Sequence, residues 1–321
     1  MTAGVPTDKV PAIGLDIGGT KIVAAVVDHS GRILTQRLID TPDAGERRHA
    51  AVVELVQALC EEHGLTHTTV GVGAAGLVDL DGVMRFAPNL DWRDYPLRSV
   101  LAEELGLPVQ VENDANAAAW AEYVVGAGHD ASIGALMLTV GTGVGGGLVM
   151  DGRLVRGAHG LAAEFGHIIV SDGGAQCPCG NRGCLEAYAS GTAIGRFARE
   201  AVATGTLADG SSLYRVEELT GAEVGAAAAA GDASACALLA DAGRWLGVGI
   251  ATLVNALDPE IVIIGGGVAQ AGGLLLDPAT VAYHERVIAA AHRDLPPVVR
   301  ARLGDDAGVI GAALLGADAE R

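Results

Sequence analysis

Aromatic residues are scarce in this sequence. Phe, Trp and Tyr make up 3% of its 321 residues, whereas half of all residues are apolar. A core must therefore consist of aliphatic side chains, and the 47 glycines allow close backbone packing. General disorder is excluded, because so apolar a chain buries enough surface to fold. The length fits two domains of ordinary size.

Positive charge is also scarce. Lys and Arg number 21 against 39 Asp and Glu, which gives a formal net charge of -18. Such a field repels phosphate backbones, so we expect no nucleic-acid partner. An acidic protein can still bind ATP, because backbone N–H groups and Mg²⁺ supply positive potential locally.

Long hydrophobic runs are missing as well. Residues 1–10 have no apolar core and contain Asp8 and Lys9, which is unlike a signal peptide. The most apolar stretch, 246–257, is shorter than the ~20 residues that cross a bilayer, and it favours a buried helix. We therefore expect a cytoplasmic protein without a membrane partner.

Hydrophobic strands alternate with helices along the chain. The pattern predicts strands at 12–17, 22–28, 32–39, 70–74, 109–112, 135–140 and 261–264, and helices at 46–62, 96–106, 115–125, 222–230, 233–256 and 307–315. The strands lack polar alternation, which is typical of sheets covered on both faces. Segments 13–20 and 136–143 share the order strand, glycine turn, strand, which predicts an internal duplication.

The first candidate site is the turn after the first strand. Asp16 is followed there by four residues suited to phosphate: Gly18, Gly19, Thr20 and Lys21. The glycines let the backbone approach an anion, and Asp16 could hold Mg²⁺ or its water. A lone glycine pair is also an ordinary hairpin turn. A second glycine-rich turn at 141–147, in the other copy, favours a phosphate clamp, whereas the P-loop pattern is absent.

A polar cluster, Glu112 to Asn116, follows another predicted strand. Asp114 could cap the next helix. It could also serve as a carboxylate at the carboxyl end of a strand, where open α/β sheets place ligands, and accept a proton from a substrate hydroxyl. In that case Asn113 would hydrogen-bond the ligand, and both roles can coexist.

Three of the five cysteines lie within eight residues. Cys177, Cys179 and Cys184 follow His167, and this set predicts a closed, structural Zn²⁺ site. Thiols without a metal are the alternative in a reducing cytosol. Glu164 and Glu186 flank the set, either as solvated acids or as acceptors for sugar hydroxyls. The other two cysteines, Cys60 and Cys236, lie on apolar helical faces and are expected in the core.

These motifs together are similar to those of the ROK family (repressors, open reading frames, kinases). The similarity runs from about residue 13 to 315, and segments 87–92 and 162–167 resemble the ATP-dependent bacterial glucokinases within the family. Pro178 stands where relatives often have Gly, which should only stiffen the loop. The Pro-rich signature of the polyphosphate-using branch does not precede Glu164, so ATP is the expected donor.

The resemblance implies a role for each matching residue. Asp114 would be the catalytic base. The sugar would be held by Asn89, Asn113, Asp114, Glu164, His167 and Glu186. The nucleotide and Mg²⁺ would be bound by Asp16, Gly18, Gly19, Thr20, Lys21, Thr142, Gly143, Gly265, Gly266, Gly267 and Val268. Zinc would be bound by His167, Cys177, Cys179 and Cys184.

The implied fold is that of the actin-like ATPases, a ribonuclease H-like α/β architecture of two related lobes around a cleft. Residues 1–118, with the C-terminal helix 305–321 returning to them, would form the small lobe, and residues 119–304 the large lobe with the zinc loop. The implied reaction transfers phosphate from ATP to the 6-hydroxyl of glucose. Asp114 would accept the proton during in-line attack. N-acetylmannosamine, N-acetylglucosamine and fructose are alternative substrates.

Two functions other than catalysis fit the sequence less well. The family's repressors carry a DNA-binding domain before the kinase-like body, whereas here the Asp16 turn starts after about a dozen residues, and the charge is unfavourable. A pure sugar sensor would need neither both glycine turns nor Asp114. An enzyme is therefore expected, with sugar and ATP as partners, and the resemblance implies a homo-oligomer, either a dimer or a tetramer.

Overall fold

The computed structural model describes residues 10–43, 45–87 and 89–318. The expected absence of a signal peptide at residues 1–10 therefore falls almost entirely outside the described residues. Two compact units are formed. The first comprises residues 1–129, 154–163 and 305–321, and the second comprises residues 130–153 and 164–304.

Thirteen strands and nine α-helices make up the described part of the chain. The strands are β1 (Ala12–Ile17), β2 (Lys21–Val27), β3 (Ile33–Asp40), β4 (Val70–Ala74), β5 (Leu77–Val78), β6 (Met84–Ala87), β7 (Trp92–Tyr95), β8 (Val109–Asn113), β9 (Gly134–Val140), β10 (Val144–Met150), β11 (Arg153–Leu154), β12 (Ile261–Gly265) and β13 (Val298–Arg300). The helices are α1 (Gly45–His63), α2 (Leu97–Leu105), α3 (Asp114–Val124), α4 (Glu186–Ala189), α5 (Gly191–Thr204), α6 (Gly221–Ala229), α7 (Ala233–Leu257), α8 (Gly273–Arg286) and α9 (Ala307–Asp318).

The first unit is built on a five-stranded sheet in the order β3-β2-β1-β4-β8. The strands β1, β2 and β3 run antiparallel, whereas β4 and β8 are parallel to β1. Helices α3 and α9 pack against each other, and α9 lies on β1 and β4. A Cβ at Gly14 of β1 would overlap the carbonyl oxygen of Val309 in α9, so the expected close backbone packing is present. A small sheet, β5-β6-β7, completes the unit.

The second unit repeats this arrangement. Its sheet has the order β11-β10-β9-β12-β13, again an antiparallel hairpin followed by strands parallel to the central one. Both sheets thus have the ribonuclease H-like order that sequence analysis implied. The duplication inferred from segments 13–20 and 136–143 is confirmed, because β1 and β9 hold the same place.

Helix α7 is the only described helix that is long and apolar enough to cross a membrane by length and composition. Within its most apolar window, 56% of the residues are buried inside the protein. It packs along α8, and Leu246 and Ile250 are fully buried. The expectation of a buried helix over 246–257 is confirmed, and α7 is a core helix of the second unit.

The first unit extends beyond the boundary expected at residue 118. Residues 119–129 belong to this unit, and a boundary at 118 would divide α3, which ends at Val124. Residues 154–163 also belong to this unit. Arg156 in that segment donates from Nε to the carboxylate of Glu112 at 2.6 Å, and Gly160 packs on the backbone of Asp79.

Candidate functional site

Three parallel strands of the first unit end together and bring two candidate residues to one edge. Asp16 of β1 aligns with Gly73 of β4, which aligns with Glu112 of β8. Asp114 follows one residue after β8 ends. Sequence analysis placed these acids at carboxyl ends of strands, and the structure confirms that they share the sheet edge where such folds bind ligands.

The cap of helix α3 is Asn113 rather than Asp114. The Asn113 side-chain oxygen accepts the N–H of Asn116 at 3.0 Å, and its Nδ2 donates to the carbonyl of Gly76 at 3.0 Å. Asp114 is the first helical residue, and its Oδ1 accepts the N–H of Ala115 at 2.9 Å. The capping role considered for Asp114 is thus wrong by one residue. Asn113 occupies the cap position and accepts one of the free N–H groups of the first turn, so Asp114 does not act as the cap.

The two carboxyls at this edge are electrostatically linked. Burial, and to a lesser extent the nearby charge of Asp114, together raise the pKa of Asp16 to about 7. Burial also raises the pKa of Asp114, although hydrogen bonds from the Ala115 N–H and neighbouring groups oppose the rise. The Asp16 carboxyl lies against Gly308, where a Cβ would be 2.6 Å from Oδ2. A divalent cation would suit this pair of acids, because its positive charge would offset both the burial of the carboxylates and the repulsion between them.

The first glycine turn is held by its neighbours on the sheet. The Gly18 N–H donates to the carbonyl of Lys21 at 3.0 Å, which closes the turn between β1 and β2. Thr41 donates from Oγ1 to the Gly18 carbonyl at 2.7 Å and from its N–H to the Thr20 carbonyl at 2.9 Å. Gly19, Thr20 and Lys21 are exposed. The turn is therefore fixed from behind while its front is open to a ligand.

Asn89, an expected sugar ligand, lies directly against this turn. A Cβ built on Gly19 would be 3.0 Å from the Cβ of Asn89, so no side chain separates them. Asn89 is exposed, whereas the next residue, Leu90, is fully buried and anchors the loop. The sugar candidate and the phosphate candidate of the first unit are thus in backbone-level contact.

Sequence reasoning missed the contacts that hold the start of α3. The Glu112 carboxylate is buried and accepts three bonds, from the Asn113 N–H at 3.1 Å, Asn116 Nδ2 at 3.0 Å and Arg156 Nε at 2.6 Å. Arg156 lies 44 residues away in sequence. No local pattern indicates a pair so distant, whereas Glu112 and Asn116 could have been paired from their spacing of four residues.

The second unit places Glu186 on its own glycine turn. The Glu186 Oε2 accepts the N–H of Val144 at 3.0 Å, and a Cβ on Gly143 would overlap that oxygen. Thr142 is exposed, and its carbonyl accepts Thr192 Oγ1 at 2.8 Å. Here too an expected sugar ligand touches an expected phosphate turn, which repeats the Asn89–Gly19 contact of the first unit.

The other nucleotide candidates of this unit end strand β12. Gly265 is the last residue of β12, Gly266 lies on the backbone of Val140, and Gly267 opens a short 3-10 helix that includes Val268. Nothing lies within 4 Å of a Cβ built on Gly267. The structure thus leaves space at this strand end, beside β9 and its glycine turn.

The four expected metal ligands come together. The ligand atoms of His167, Cys177, Cys179 and Cys184 all lie within 4.8 Å of one another. Cys177 Sγ is 3.8 Å from His167 Nδ1, and Cys179 Sγ is 3.6 Å from Cys184 Sγ. Tetrahedral Zn²⁺ with bonds of about 2.3 Å to sulfur separates its ligand atoms by roughly 3.8 Å. These residues therefore fit zinc in number, type and spacing.

The three cysteines differ in their protonation. Burial raises the pKa of Cys177 and of Cys184, whereas that of Cys179 is lowered despite burial, by hydrogen bonds from the Asn181 N–H and the neighbouring thiols. A bound divalent cation would stabilise the thiolates that ligate it. Cys60 and Cys236 are half-buried and lie outside this cluster, and Cys60 packs against the core of the first unit as expected.

The zinc candidates lie beside two sugar candidates. His167 ends a short 3-10 helix that starts after Glu164, and its N–H donates to the Glu164 carbonyl at 3.0 Å. Cys177 Sγ is 3.7 Å from Glu186 Oε1. Because His167 Nδ1 faces the cysteines, Nε2 is the nitrogen left for another partner.

Known proteins resemble the chain along almost its whole length. A profile described as "ROK family" matches residues 12–319. A glucokinase of Streptomyces coelicolor is 41% identical, covering 94% of this chain and 96% of that protein. A crystal structure of a ROK family glucokinase from Streptomyces griseus, in complex with glucose and AMPPNP, is 43% identical with a TM-score of 0.83, covering 96% of this chain and 99% of that one.

A relative of different specificity is nearly as similar. An N-acetylmannosamine kinase of Yersinia pseudotuberculosis is 36% identical, covering 94% of this chain and 97% of that protein. Each of the three covers 94% or more of this chain, so the similarity extends over both units. The chain belongs to the ROK family.

Proposed function

We propose that this protein is an ATP-dependent hexose kinase that transfers the γ-phosphoryl group of ATP to the 6-hydroxyl of glucose. The observation that carries the proposal is the position of Asp114, a half-buried carboxylate at the strand edge of the fold shared with the glucokinases. It is accompanied there by Asp16 and by the glycine turn of Gly18 and Gly19.

Asp114 is assigned as the general base. Its ionised carboxylate takes the proton of the attacking hydroxyl, and its raised pKa brings its proton affinity closer to that needed at neutral pH. Its Oδ1 accepts the Ala115 N–H, and the Asn113 side chain also hydrogen-bonds this carboxyl, which fixes its orientation. We assign Asn113, with Asn89, to sugar hydroxyls.

Phosphate binding is assigned to the two glycine turns. Gly18, Gly19, Thr20 and Lys21 present backbone and side-chain donors, and Thr142 and Gly143 do so in the second unit, with Gly265 to Val268 next to the adenosine. Asp16 would hold Mg²⁺ or one of its waters. The bound ion would neutralise charge on the transferring phosphoryl group.

Zinc, held by His167 and the three cysteines, is assigned a structural role. All four positions of a tetrahedral ion are filled by protein, so none is left for catalysis. The ion would fix the ring of His167, whose Nε2 then donates to a sugar oxygen, and would stiffen the segment between Glu164 and Glu186. We assign sugar hydroxyls to both of these acids.

The remaining expectations are part of the same proposal. We place the enzyme in the cytoplasm and expect a homo-oligomer that binds neither nucleic acid nor membrane. We also retain two domains, with the first enlarged by residues 119–129 and 154–163. N-acetylmannosamine is the competing substrate, because a kinase for it is 36% identical to this chain.

A coupled kinase assay over a panel of sugars tests the proposal. Purified protein with MgATP is offered glucose, N-acetylmannosamine, N-acetylglucosamine and fructose, and ADP formation is followed. We expect the highest kcat/KM with glucose, since a site that hydrogen-bonds a hydroxyl discriminates strongly against its absence. A preference for N-acetylmannosamine would overturn the assignment of glucose as substrate and leave the assignment of kinase activity intact. Absence of sugar-dependent ADP formation with every sugar would overturn the function.

A further inference from the structure

A buried arginine side chain contacts two segments that lead to the candidate site of the first unit. Arg48 of α1 exposes 3% of its surface and is the only buried Lys or Arg among residues 10–43, 45–87 and 89–318. Its guanidinium donates to the carbonyl of Leu90 and, at 3.0 Å, to the carbonyl of Pro42. The same group lies 5.3 Å from the centre of the Trp92 ring. Arg48 thus joins residue 42 to residues 90–92.

Both segments continue directly to the proposed ligand contacts. Leu90 follows Asn89, whose side chain lies on Gly19. Pro42 follows Thr41, which donates to the carbonyls of Gly18 and Thr20. The loop that carries Asn89 (the sugar loop) and the turn of Gly18 to Thr20 (the phosphate turn) therefore contact each other directly. Through Leu90 and Pro42, both are also connected to the guanidinium of Arg48.

The chemistry of this link needs arginine. Its planar fork can donate in two directions at once and its face can stack on an aromatic ring, whereas a lysine ammonium offers a single centre. Burial lowers the pKa of Arg48 although the charges of Asp91 and Asp43 oppose the shift, so the charge is held at a net cost in free energy. An apolar side chain of similar volume could fill such a space without that cost. Packing alone therefore does not require a charge at this position.

We infer that Arg48 is a positioning residue that couples sugar binding at Asn89 to nucleotide binding at the turn of Gly18 to Thr20. The inference rests on the proposed function. By holding both segments to one group, Arg48 keeps the sugar loop and the phosphate turn in a fixed relation. A sugar that orders the loop then orders the turn, so each ligand tightens the binding of the other.

The test compares Arg48→Met and Arg48→Lys with Arg47→Met, a matched control on the adjacent exposed residue. Glucose affinity is measured by calorimetry with and without saturating MgAMPPNP, and kcat and KM are measured with MgATP. For Arg48→Met we expect glucose affinity to fall about 10- to 100-fold, as for loss of a positioning contact. The factor by which MgAMPPNP tightens glucose binding should fall towards one. Arg47→Met should match the wild type.

Arg48→Lys keeps the positive charge, so the inference can still be tested if Arg48→Met does not fold. It should fold, as judged by thermal unfolding, and still lose most of the coupling. A lower Tm with unchanged glucose affinity and unchanged coupling would make Arg48 a structural residue and overturn the inference, as would a wild type without coupling. Failure of the proposed function is seen separately, because the wild type would then phosphorylate no hexose.

Discussion

Substituting Asp114 by Asn separates the chemistry of this carboxylate from its place in the fold. Asn113 caps α3, and an amide oxygen at position 114 can still accept the Ala115 N–H, so both local hydrogen bonds survive. Burial raises the pKa of Asp114, which means that its charge is unfavourable where it lies. A neutral amide should therefore change the free energy of unfolding by less than about 1 kcal/mol, with no loss at pH 8.

The catalytic effect should be far larger. An amide cannot take the proton of the attacking hydroxyl, and loss of a general base lowers turnover by about 10²–10⁴-fold, or roughly 3–5 kcal/mol in the barrier. The affinity for MgATP should stay unchanged, because no atom of the Gly18–Lys21 turn is altered. The measurement is kcat at saturating glucose and MgATP, with urea unfolding of the same preparation.

A matched carboxylate distinguishes this role from a general effect of charge. The Asp81 side chain is 85% exposed, so Asp81→Asn removes the same charge from the same unit and should leave kcat within about twofold. If Asp114→Asn kept near wild-type turnover, Asp114 would not be the base. If it lost turnover only because it unfolded, the urea curve would show it.

Three further expectations follow from the site. The folded, nucleotide-free protein keeps a proton on Asp16 up to about pH 7, whereas the unfolded chain releases it above about pH 4, so stability should fall as pH rises through that window. The free energy of unfolding should fall by at most about 4 kcal/mol, less any solvent screening. Asp16→Asn should remove this pH dependence. Parallel plots of urea-derived unfolding free energy against pH for the variant and the wild type would contradict the raised pKa. Elemental analysis should find about one zinc per chain, and Cys184→Ser should weaken glucose binding at least tenfold while sparing MgAMPPNP; unchanged glucose affinity in zinc-free protein would refute the coupling. Gly19→Ala should displace Asn89 by a few tenths of an ångström and raise the KM for glucose. Gly225→Ala, which has open space around it, should leave that KM unchanged. Equal KM values for both variants would show that the Gly19–Asn89 contact does not affect glucose binding.

The sequence predicted most regular elements because their signals are local. Strand β1 and helix α7 have long apolar patterns with clear ends, and each was placed to within one residue at either end. The sheet β5-β6-β7 was missed because its strands have two to four residues. Helix α8 was missed because Pro278 interrupts its sequence. Its pairing with α7, rather than its own pattern, supports it as a helix.

The candidate site was predicted unevenly for the same reason. The cysteine cluster needed only spacing, so its four members were found together. The α3 cap was placed one residue late, because Asn113 and Asp114 are both good capping residues and only backbone geometry separates them. Arg48 and Arg156 were not found at all. Arg48 donates to the carbonyl of Leu90, 42 residues away, and Arg156 to the carboxylate of Glu112, 44 residues away, and no short sequence window contains either pair.

The three hydrogen bonds that the Glu112 carboxylate accepts have a consequence for engineering the enzyme. They fasten Arg156 to the backbone that carries Asp114, and Glu164 follows Arg156 by eight residues. Residues 157–163 therefore lead along the chain from a residue that is fixed in the first unit to Glu164, which we propose as a sugar ligand. We expect a change in the length of this segment to alter sugar selectivity, while the hydrogen bonds of Glu112 keep the start of α3, and with it Asp114, in place.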